Sequence, residues 1–241
     1  MVSVAVATYN GEKYIREQLK SILDNLEQND EVVISDDGST DNTLKIVKEI
    51  YDSRIRIIKG PGKGIKQNFA NAIEQCKGEY IFLSDQDDYW YKNKVVTVCK
   101  AFRENNAILI EHDAKIVDAN GKTMYSSFFE MRKVRPGVWK NLLRNTYHGC
   151  CIAFKQELVP YILPIPDDIY LHDQWIGILA DYIGKTYFLK DKLINYRRHG
   201  NNASSFKHLP IRCQIKNRMM LLIRVLPRFF KCTIQKKKDK L

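Results

Sequence analysis

The chain lacks the cysteine spacings, the phosphate-binding glycine loop and the long apolar runs that mark several common protein classes. None of its six cysteines forms a Cys-x-x-Cys pair, which argues against metal knuckles and dithiol redox sites. Scattered free thiols are typical of proteins in a reducing cytosol. No basic leader and no apolar stretch of membrane-spanning length stands out, so we expect neither secretion nor a membrane-spanning helix.

An acidic excess is also absent, and the net charge of +11 comes almost entirely from the C-terminus. Residues 207–241 contain eleven Lys or Arg and one acid, Asp239, whereas the other 206 residues carry 28 basic and 27 acidic residues. The main part of the chain is therefore close to neutral, and we expect no nucleic-acid partner. Residues 207–241 form a separate basic tail.

The first hundred residues alternate short apolar strands with amphipathic helical segments. Strand patterns recur at four places, with helical patterns between them: residues 2–7, 31–35, 54–59 and 80–84. This β-α-β-α-β-α-β order predicts an α/β, Rossmann-like fold with a mostly parallel sheet and helices on both faces.

The second half of the chain mixes strands and helices less regularly. Its patterns predict three strands and one helix, in chain order at residues 107–118, 147–154, 169–183 (the helix) and 193–198. We therefore divide the chain into a first half (1–100), a mixed second half (101–206) and the tail (207–241).

Three polar clusters follow the first, second and fourth predicted strands: Thr8-Tyr9-Asn10-Gly11, Asp36-Asp37-Gly38-Ser39 and Ser84-Asp85-Gln86-Asp87-Asp88. Ligands of open α/β sheets bind at the carboxyl ends of the strands, where these clusters should converge. The third cluster has three carboxylates within four residues, which would repel one another unless a cation lies among them. Oxygen ligands on a short loop suit Mg²⁺ or Mn²⁺. Alone, such a cluster is more often an acidic turn at a helix start, but the convergence favours the metal.

Together these segments resemble the family 2 glycosyltransferases, which have the GT-A fold. The similarity covers residues 1–206 and rests on four stretches in matching order and spacing: Val6–Gly11, Asp36–Asp41, Gly64–Asn68 and Ser84–Trp90. The chain is most like bacterial rhamnosyltransferase-like members, which make surface polysaccharides. Those members often share a late Tyr-Arg-x-His-x-x-Asn stretch, here Tyr196–Asn202.

The resemblance implies roles for individual residues. It implies binding of a dTDP- or UDP-linked sugar donor by seven of them: Thr8, Asn10, Asp36, Lys66, Asp85, Arg198 and His199. It also implies Asp87 and His199 as ligands of a Mg²⁺ or Mn²⁺ ion. Thr8 and Ser39 are equally ordinary turn or cap residues, and Asp37 is expected only to order its loop.

Inverting transfer from such a donor needs a carboxylate that deprotonates the acceptor hydroxyl group. The segment His172-Asp173-Gln174-Trp175 resembles the family's acid-then-aromatic segment at a helix start, which makes Asp173 the expected base. Asp173 also fits a simple helix-start acid, and Asp167 and Asp168 are competitors. Asp113 is a weaker candidate because nothing around it matches a base motif.

The expected function is metal-dependent, inverting transfer of rhamnose or a hexose to a growing, lipid-linked cell-surface glycan. Residues 1–100 would bind the donor, and residues 101–206 would bind the acceptor. A nucleotidyltransferase or a metal-dependent phosphohydrolase is one alternative, although the basic Gly-rich loop usual in the former is absent around residues 8–13. A non-catalytic scaffold of a polysaccharide-assembly complex is another, although it would be expected to have lost some of the acids named above.

The tail combines an apolar stripe with basic residues. Its apolar positions repeat at helical spacing: Ile211, Ile215, Met219, Leu222 and Leu226. Pro227 is expected to end or kink this helix. Apolar groups can enter a lipid interface while cations meet anionic headgroups, which predicts a cytoplasmic protein held peripherally on the inner face of the cell membrane. The alternative is that the stripe packs on the main domain.

Overall fold

The structure is a computed structural model, and it describes residues 1–200, 202 and 209–238. Within these residues, nine strands form one sheet: β1 (Val2–Thr8), β2 (Glu31–Asp36), β3 (Ile55–Lys59), β4 (Tyr80–Ser84), β5 (Tyr89–Trp90), β6 (Leu109–Asp118), β7 (Thr123–Tyr125), β8 (Ile152–Lys155) and β9 (Thr186–Arg198). The same part of the chain contains nine α-helices: α1 (Ile15–Leu23), α2 (Thr43–Lys48), α3 (Ile65–Gln75), α4 (Lys94–Asn105), α5 (Phe128–Arg132), α6 (Val138–Leu143), α7 (Val159–Ile162), α8 (His172–Ile183) and α9 (Ile211–Lys238).

Four parallel strands form one side of the sheet, in the order β3-β2-β1-β4. Strand β1 is buried along its whole length, as expected for a parallel strand with helices on both faces. The strand register pairs Thr8 with Asp36 and Val6 with Ser84. The three polar clusters therefore leave the sheet at the same edge, as the sequence predicts.

Alternate side chains of these strands build two core layers. Ala5 and Leu83 pack on one face with α3, α8 and α9, whereas Val4 and Phe82 pack on the other face with α1, α2 and α4. The predicted fold, a mostly parallel sheet between helices, is confirmed. Because Trp175 of the second half shares a core with Ala5 of the first, the division into halves stays a prediction, and its boundary at 206 lies outside the described residues.

The second half extends the sheet with mixed strands. Strand β8 is antiparallel to β4 and β6, and β6 is parallel to β9. The strand predicted at residues 147–154 is wrong in its first part, because Gly149–Cys151 form a 3₁₀ turn. A Cβ atom at Gly149 would lie 3.0 Å from Nε2 of His172, so the backbone turns here in close contact with the start of α8. The last strand begins at Thr186, earlier than predicted, because its first residues pair with β6.

Helix α9 runs through Pro227, so the expectation that the helix ends at this proline is wrong. Leu221, Val225 and Cys232 lie on both sides of Pro227 and are buried in the core, which offsets the hydrogen bond that a proline removes. The alternative interpretation of the tail, packing on the main domain, is thus confirmed for this side of the helix. None of the described helices has the length and apolar character needed to cross a membrane.

Candidate active site

The ends of β1 and β2 are joined by side-chain hydrogen bonds. The Thr8 hydroxyl group donates to Oδ2 of Asp36 over 3.1 Å, and the Ser39 hydroxyl donates to the same oxygen over 2.6 Å. The backbone N–H of Ser39 donates to Oδ1 of Asp36 over 2.9 Å. The sequence therefore places Thr8 and Asp36 together correctly. Their contact with a nucleotide stays a prediction.

Asn10 connects the first polar cluster to the second. Its backbone has a φ of 49°, a left-handed conformation that asparagine adopts more readily than most residues. Its side-chain oxygen accepts from the backbone N–H of Thr40 over 2.9 Å. In this structure the Asn10 side chain thus orders the adjoining loop, and donor binding by Asn10 stays a prediction.

Asp37 has the structural role that the sequence predicts. Its two carboxylate oxygens accept from the backbone N–H groups of Gly62 and Gly64, each over 2.7 Å. Asp37 thereby fixes the loop after β3 against the loop after β2. A surface cavity of about 480 Å³ opens between these loops, and it is lined by Asp36, Gly38, Ser39, Leu44, Lys59 and Pro61 among others.

Lys66 at the start of α3 contacts the loop before α8. Its ammonium group donates to the backbone carbonyl of Asp167 over 2.7 Å and also to that of Ile169. Burial lowers the pKa of the Lys66 ammonium. In this structure Lys66 joins α3 to the loop before α8, and its contact with a nucleotide stays a prediction.

The acidic loop after β4 binds the end of β9. Nε2 of His199 lies 2.7 Å from Oδ2 of Asp87, and the side-chain amide of Asn202 donates to the same oxygen over 3.3 Å. The backbone N–H of Arg197 donates to Oδ1 of Asp88 over 2.9 Å. The two predicted metal ligands, Asp87 and His199, are therefore in contact. Asn201, which belongs to the same predicted motif, lies outside the described residues.

Burial of the acidic loop disfavours the ionised forms of its carboxylates. Burial raises the pKa of Asp87, raises that of Asp88 to about 7, and raises that of Asp85 well above its usual range. The neighbouring carboxylates add to the effect on Asp85 and Asp88. A cation bound among these groups would restore their ionised forms.

The residues at this loop fit a divalent cation. Ligand atoms of Asp85, Asp88 and Cys150 lie within 4.8 Å of one another, and the Asp87–His199 pair adjoins them. Carboxylate oxygens suit Mg²⁺ and Mn²⁺, and imidazole suits the softer transition metals. Burial raises the pKa of the Cys150 thiol, which makes it a poorer ligand than the carboxylates. Metal binding by Asp87 and His199 stays a prediction.

Asp173 lies in the first turn of α8 and faces the acidic loop. Its side chain is 8% exposed, and its Oδ1 accepts from the backbone N–H of Gln174 over 2.6 Å and from Asn145 over 3.2 Å. Burial raises the pKa of Asp173 to about 6, although these hydrogen bonds oppose the shift. A Cβ atom at Gly149 would lie 4.0 Å from that of Asp173, and the next residue, Cys150, adjoins Asp85 and Asp88. The expected base therefore lies near the acidic loop.

Two of the three competing acids have structural partners, and the third, Asp167, is exposed. Asp168 forms a salt bridge of 2.5 Å with Arg224. Asp113 accepts from the Ser127 hydroxyl over 2.6 Å and from the backbone N–H of Phe129 over 2.9 Å, and so holds α5 in place. This geometry leaves Asp173 as the candidate best placed beside the acidic loop.

Sequence reasoning missed Lys94 beside the site, whereas it names Arg198, whose donor contact stays a prediction. Lys94 is fully buried, with its ammonium group 3.7 Å from the centre of the Trp90 ring and 3.1 Å from the carbonyl oxygen of Cys150. Burial lowers the pKa of Lys94 to about 8. Arg198 donates to the hydroxyl group of Tyr196 over 2.9 Å, which orients the end of β9. A lysine at a helix start gives no sequence signal of burial, because its depth depends on the sheet around it.

These features define a class of protein: a GT-A fold with an acidic loop after β4 and a buried carboxylate, Asp173, at the start of α8. The chain belongs to glycosyl transferase family 2, whose model matches residues 3–163.

Relatives in sequence support this assignment. The chain is 34% identical over 216 residues to the dTDP-rhamnosyl transferase RfbG of Shigella flexneri. The match covers 82% of this chain and 72% of that protein. It is 29% identical over 186 residues to the Escherichia coli UDP-Glc:alpha-D-GlcNAc-diphosphoundecaprenol beta-1,3-glucosyltransferase WfgD, covering 75% of this chain and 70% of the relative.

Solved structures share the fold. S. aureus TarS 1-349 in complex with UDP-GlcNAc matches with a TM-score of 0.73 at 20% identity. The match covers 93% of this chain and 66% of that one. The mannosyltransferase PcManGT from Pyrobaculum calidifontis, in complex with GDP-Man and Mn2+, matches with a TM-score of 0.57 at 21% identity over 79% of this chain and 54% of that one. The chain thus spans two thirds or less of these two structures.

Proposed function

We propose that the chain is an inverting glycosyltransferase that moves rhamnose or a hexose from a dTDP- or UDP-linked donor to a growing cell-surface glycan. One observation carries the proposal: the acidic loop at Asp85–Asp88, its partner His199 and the buried Asp173 lie together at the carboxyl edge of the sheet. The names of the two sequence relatives support a dTDP- or UDP-linked sugar as the donor.

The donor would lie across the strand ends. Thr8 and Asp36 end β1 and β2, and the acidic loop follows β4 on the other side of β1. Strands two positions apart are separated by roughly 10 Å, which leaves room for a nucleoside between Asp36 and Asp85. Arg198 at the end of β9 would meet the diphosphate, because a cationic guanidinium suits phosphate oxygens, and His199 beside it would act through the metal.

Asp173 is the proposed general base. Its carboxylate removes the proton from the acceptor hydroxyl as that oxygen bonds to the anomeric carbon and the bond to the diphosphate breaks. Attack opposite the leaving diphosphate inverts the anomeric centre. A pKa of about 6 keeps the carboxylate mostly ionised at neutral pH and leaves it basic enough to take the proton.

We propose Mg²⁺ or Mn²⁺ as the cofactor, held by Asp85, Asp87 and His199. When bound, the ion would neutralise charge on the donor diphosphate and on the leaving nucleotide. The Mn2+ in the PcManGT structure is consistent with this proposal. The chain's own contribution is to hold the three ligands through the contacts of Asp88 and Asn202.

The acceptor is proposed to be a lipid-linked glycan, reached by an enzyme that lies peripherally on the inner face of the cell membrane. The relative WfgD supports this, because its name specifies a diphosphoundecaprenol-linked acceptor.

A donor panel tests the reaction. The chain is incubated with dTDP-rhamnose or UDP-hexoses, a lipid-linked acceptor and Mn²⁺, and released dTDP or UDP is measured with the anomeric configuration of the product. We expect one donor to dominate and the product to be inverted. Release of pyrophosphate would support a nucleotidyltransferase instead, and donor binding without turnover for every donor would support a scaffold.

A further inference from the structure

Helix α9 has a second apolar side that the core does not cover. While Leu221, Val225 and Cys232 are buried, a row of large apolar residues faces solvent on the other side: Ile211 (63% exposed), Ile215, Met219, Leu226 and Phe230 (70% exposed). These residues follow helical spacing, so they form one continuous stripe along the helix. An uncovered apolar stripe of this length marks an interaction surface.

Contacts between the other side of α9 and the main domain hold the stripe towards solvent. The Arg224 guanidinium forms a salt bridge with Asp168, and that of Arg228 donates to the backbone carbonyls of Leu163 and Pro164 over 2.7 and 2.8 Å. The ring of Phe229 stacks on that of Tyr182 with centroids 3.9 Å apart. Rotation of α9 to bury the stripe would break all of these contacts.

Helix α6 adds to the surface beside α9. Trp139 is 69% exposed, and Leu143 at the end of the same helix is 67% exposed. Nε of Arg218 in α9 donates to the backbone carbonyl of Leu143 over 2.8 Å, which joins the two helices. We call the exposed stripe of α9 the apolar face.

Exposed cations accompany the apolar face. Arg212, Lys216 and Lys231 are exposed along α9, and residues 207–241 carry eleven basic residues against one acid. A second copy of the chain would bring these like charges together, whereas an anionic lipid surface pairs cations with headgroups and accepts apolar side chains below them. We propose that the apolar face binds the surface of an anionic bilayer, with α9 lying in the interface plane.

This surface lies close to the proposed catalytic base. Asn145, two residues after Leu143, donates to Oδ1 of Asp173. The side-chain amide of Gln174 donates to the backbone carbonyl of Asn141 in α6 over 2.6 Å. A lipid-linked acceptor held in the bilayer would therefore reach the base over a short distance. Vesicle binding deepens the peripheral membrane location within the proposed function, and this last step rests on that function. Donor turnover in solution depends on neither.

Co-sedimentation of the full chain with vesicles tests the proposal. At low salt we expect binding to phosphatidylglycerol–phosphatidylcholine vesicles and at least tenfold weaker binding to pure phosphatidylcholine. The double variant Leu226→Glu/Phe230→Glu should lose binding, whereas Val96→Glu, which changes an equally exposed residue on α4, should keep it. The double variant Arg212→Glu/Lys216→Glu should bind anionic vesicles at least tenfold more weakly, because each cation contributes about fivefold near such a surface.

Circular dichroism and the midpoint of thermal unfolding check that each variant is folded. We expect all of them to fold, because the substituted residues are exposed. Wild-type protein that ignores anionic vesicles at low salt would overturn the proposal, as would unchanged binding by the Leu226/Phe230 variant. If that variant instead turns a wild-type dimer into a monomer in sedimentation velocity and leaves vesicle binding unchanged, the occupant is a second copy. Donor turnover in solution is measured separately, so failure here and failure of the proposed function are distinguishable.

Discussion

Asp173 combines deep burial with a position opposite the acidic loop. We expect Asp173→Asn to lower kcat by about a hundredfold or more and to leave donor affinity unchanged, because the amide cannot take the acceptor proton. Since burial raises the pKa of Asp173 to about 6, wild-type kcat should fall as the pH drops through that value. Steady-state kinetics across pH 5–8, with donor titration by calorimetry, measures both effects.

Asp168→Asn is the matched control, because Asp168 lies in the same region but its carboxylate pairs with Arg224. This variant should keep a kcat near that of the wild type and show the same fall in kcat at acidic pH. If Asp173→Asn abolishes donor binding, Asp173 belongs to the donor site. A product with retained anomeric configuration would contradict the single-displacement mechanism.

Asp87 contacts His199 within the proposed metal site. We expect Asp87→Ala to abolish transfer and to remove the effect of Mn²⁺ on donor affinity, since it deletes one ligand and releases the imidazole. Calorimetric titration with donor, with and without Mn²⁺, measures the donor affinity. EDTA should lower the donor affinity of the wild type to that of the Asp87→Ala variant. The exposed Asp191→Ala on β9 serves as the control. Full wild-type activity in EDTA would rule out the metal role.

Glu111 in β6 is fully buried and accepts no well-aligned hydrogen bond from the described residues, although the backbone of His148 lies near it. Burial raises its pKa well above 4.5. The folded protein thus keeps a proton that the unfolded chain loses, so the contribution of Glu111 to stability falls as the pH rises above about 4.5. The slope is up to about 1.4 kcal/mol per pH unit.

We therefore expect Glu111→Gln to gain stability relative to wild type as the pH rises from about 5 to 8. Urea denaturation at each pH measures the free energy of unfolding. Glu104→Gln, on the exposed side of α4, should run parallel to wild type. A pH-independent difference for Glu111→Gln would show that this carboxyl ionises in the folded protein.

Among the elements, the parallel strands are those that the sequence predicts best. Short apolar runs that end in Thr8, Asp36 or Ser84 can be read as buried strands, and parallel topology then places their ends at one edge. This is why the contacts between Thr8 and Asp36 and the position of the acidic loop follow from local patterns. Asp173 was found through a resemblance at a helix start.

Features that depend on contacts between distant segments could not be predicted. A proline usually ends a helix, but Pro227 lies inside α9 because the residues around it are held by the core. Nothing local in the sequence shows that the carbonyls of Asp167 and Ile169 accept hydrogen bonds from the Lys66 ammonium. Cys150 adjoins the acidic loop only because a 3₁₀ turn replaces the predicted strand.

One side of helix α9 packs in the core of the domain. A pair of substitutions tests this packing. Leu221 is 3% exposed and packs in the core, whereas Ile223, two residues later, is 53% exposed. We expect Leu221→Ala to lower the free energy of unfolding by about 2–4 kcal/mol, and Ile223→Ala to change it by less than about 0.5 kcal/mol. Urea denaturation of both variants compares them directly. Equal, small effects would mean that α9 is not docked as described.

At the scale of the whole molecule, the excess positive charge and the uncovered apolar surface of α9 lie together in the tail, apart from the acidic loop. The 206 residues before the tail are close to neutral, and the basic residues concentrate at the end of the chain, where the uncovered side of α9 lies. The carboxylates of the acidic loop lie at the strand ends of the same domain. A bilayer would thus attract the molecule by its tail and not by its catalytic edge.

This segregation predicts how salt affects catalysis. Raising NaCl from about 50 to 500 mM shortens the Debye length from above 10 Å to below 8 Å and weakens attraction to an anionic surface. We expect the rate of transfer to a lipid-linked acceptor in anionic vesicles to fall several-fold. Transfer to a short water-soluble acceptor with the same terminal sugar should change little, because it needs no surface. Initial rates of nucleotide release measure both reactions, and neutral vesicles provide the reference. An equal loss with both acceptors would place the salt effect in the active site, whereas a loss confined to anionic vesicles would show that the tail brings the enzyme to its substrate.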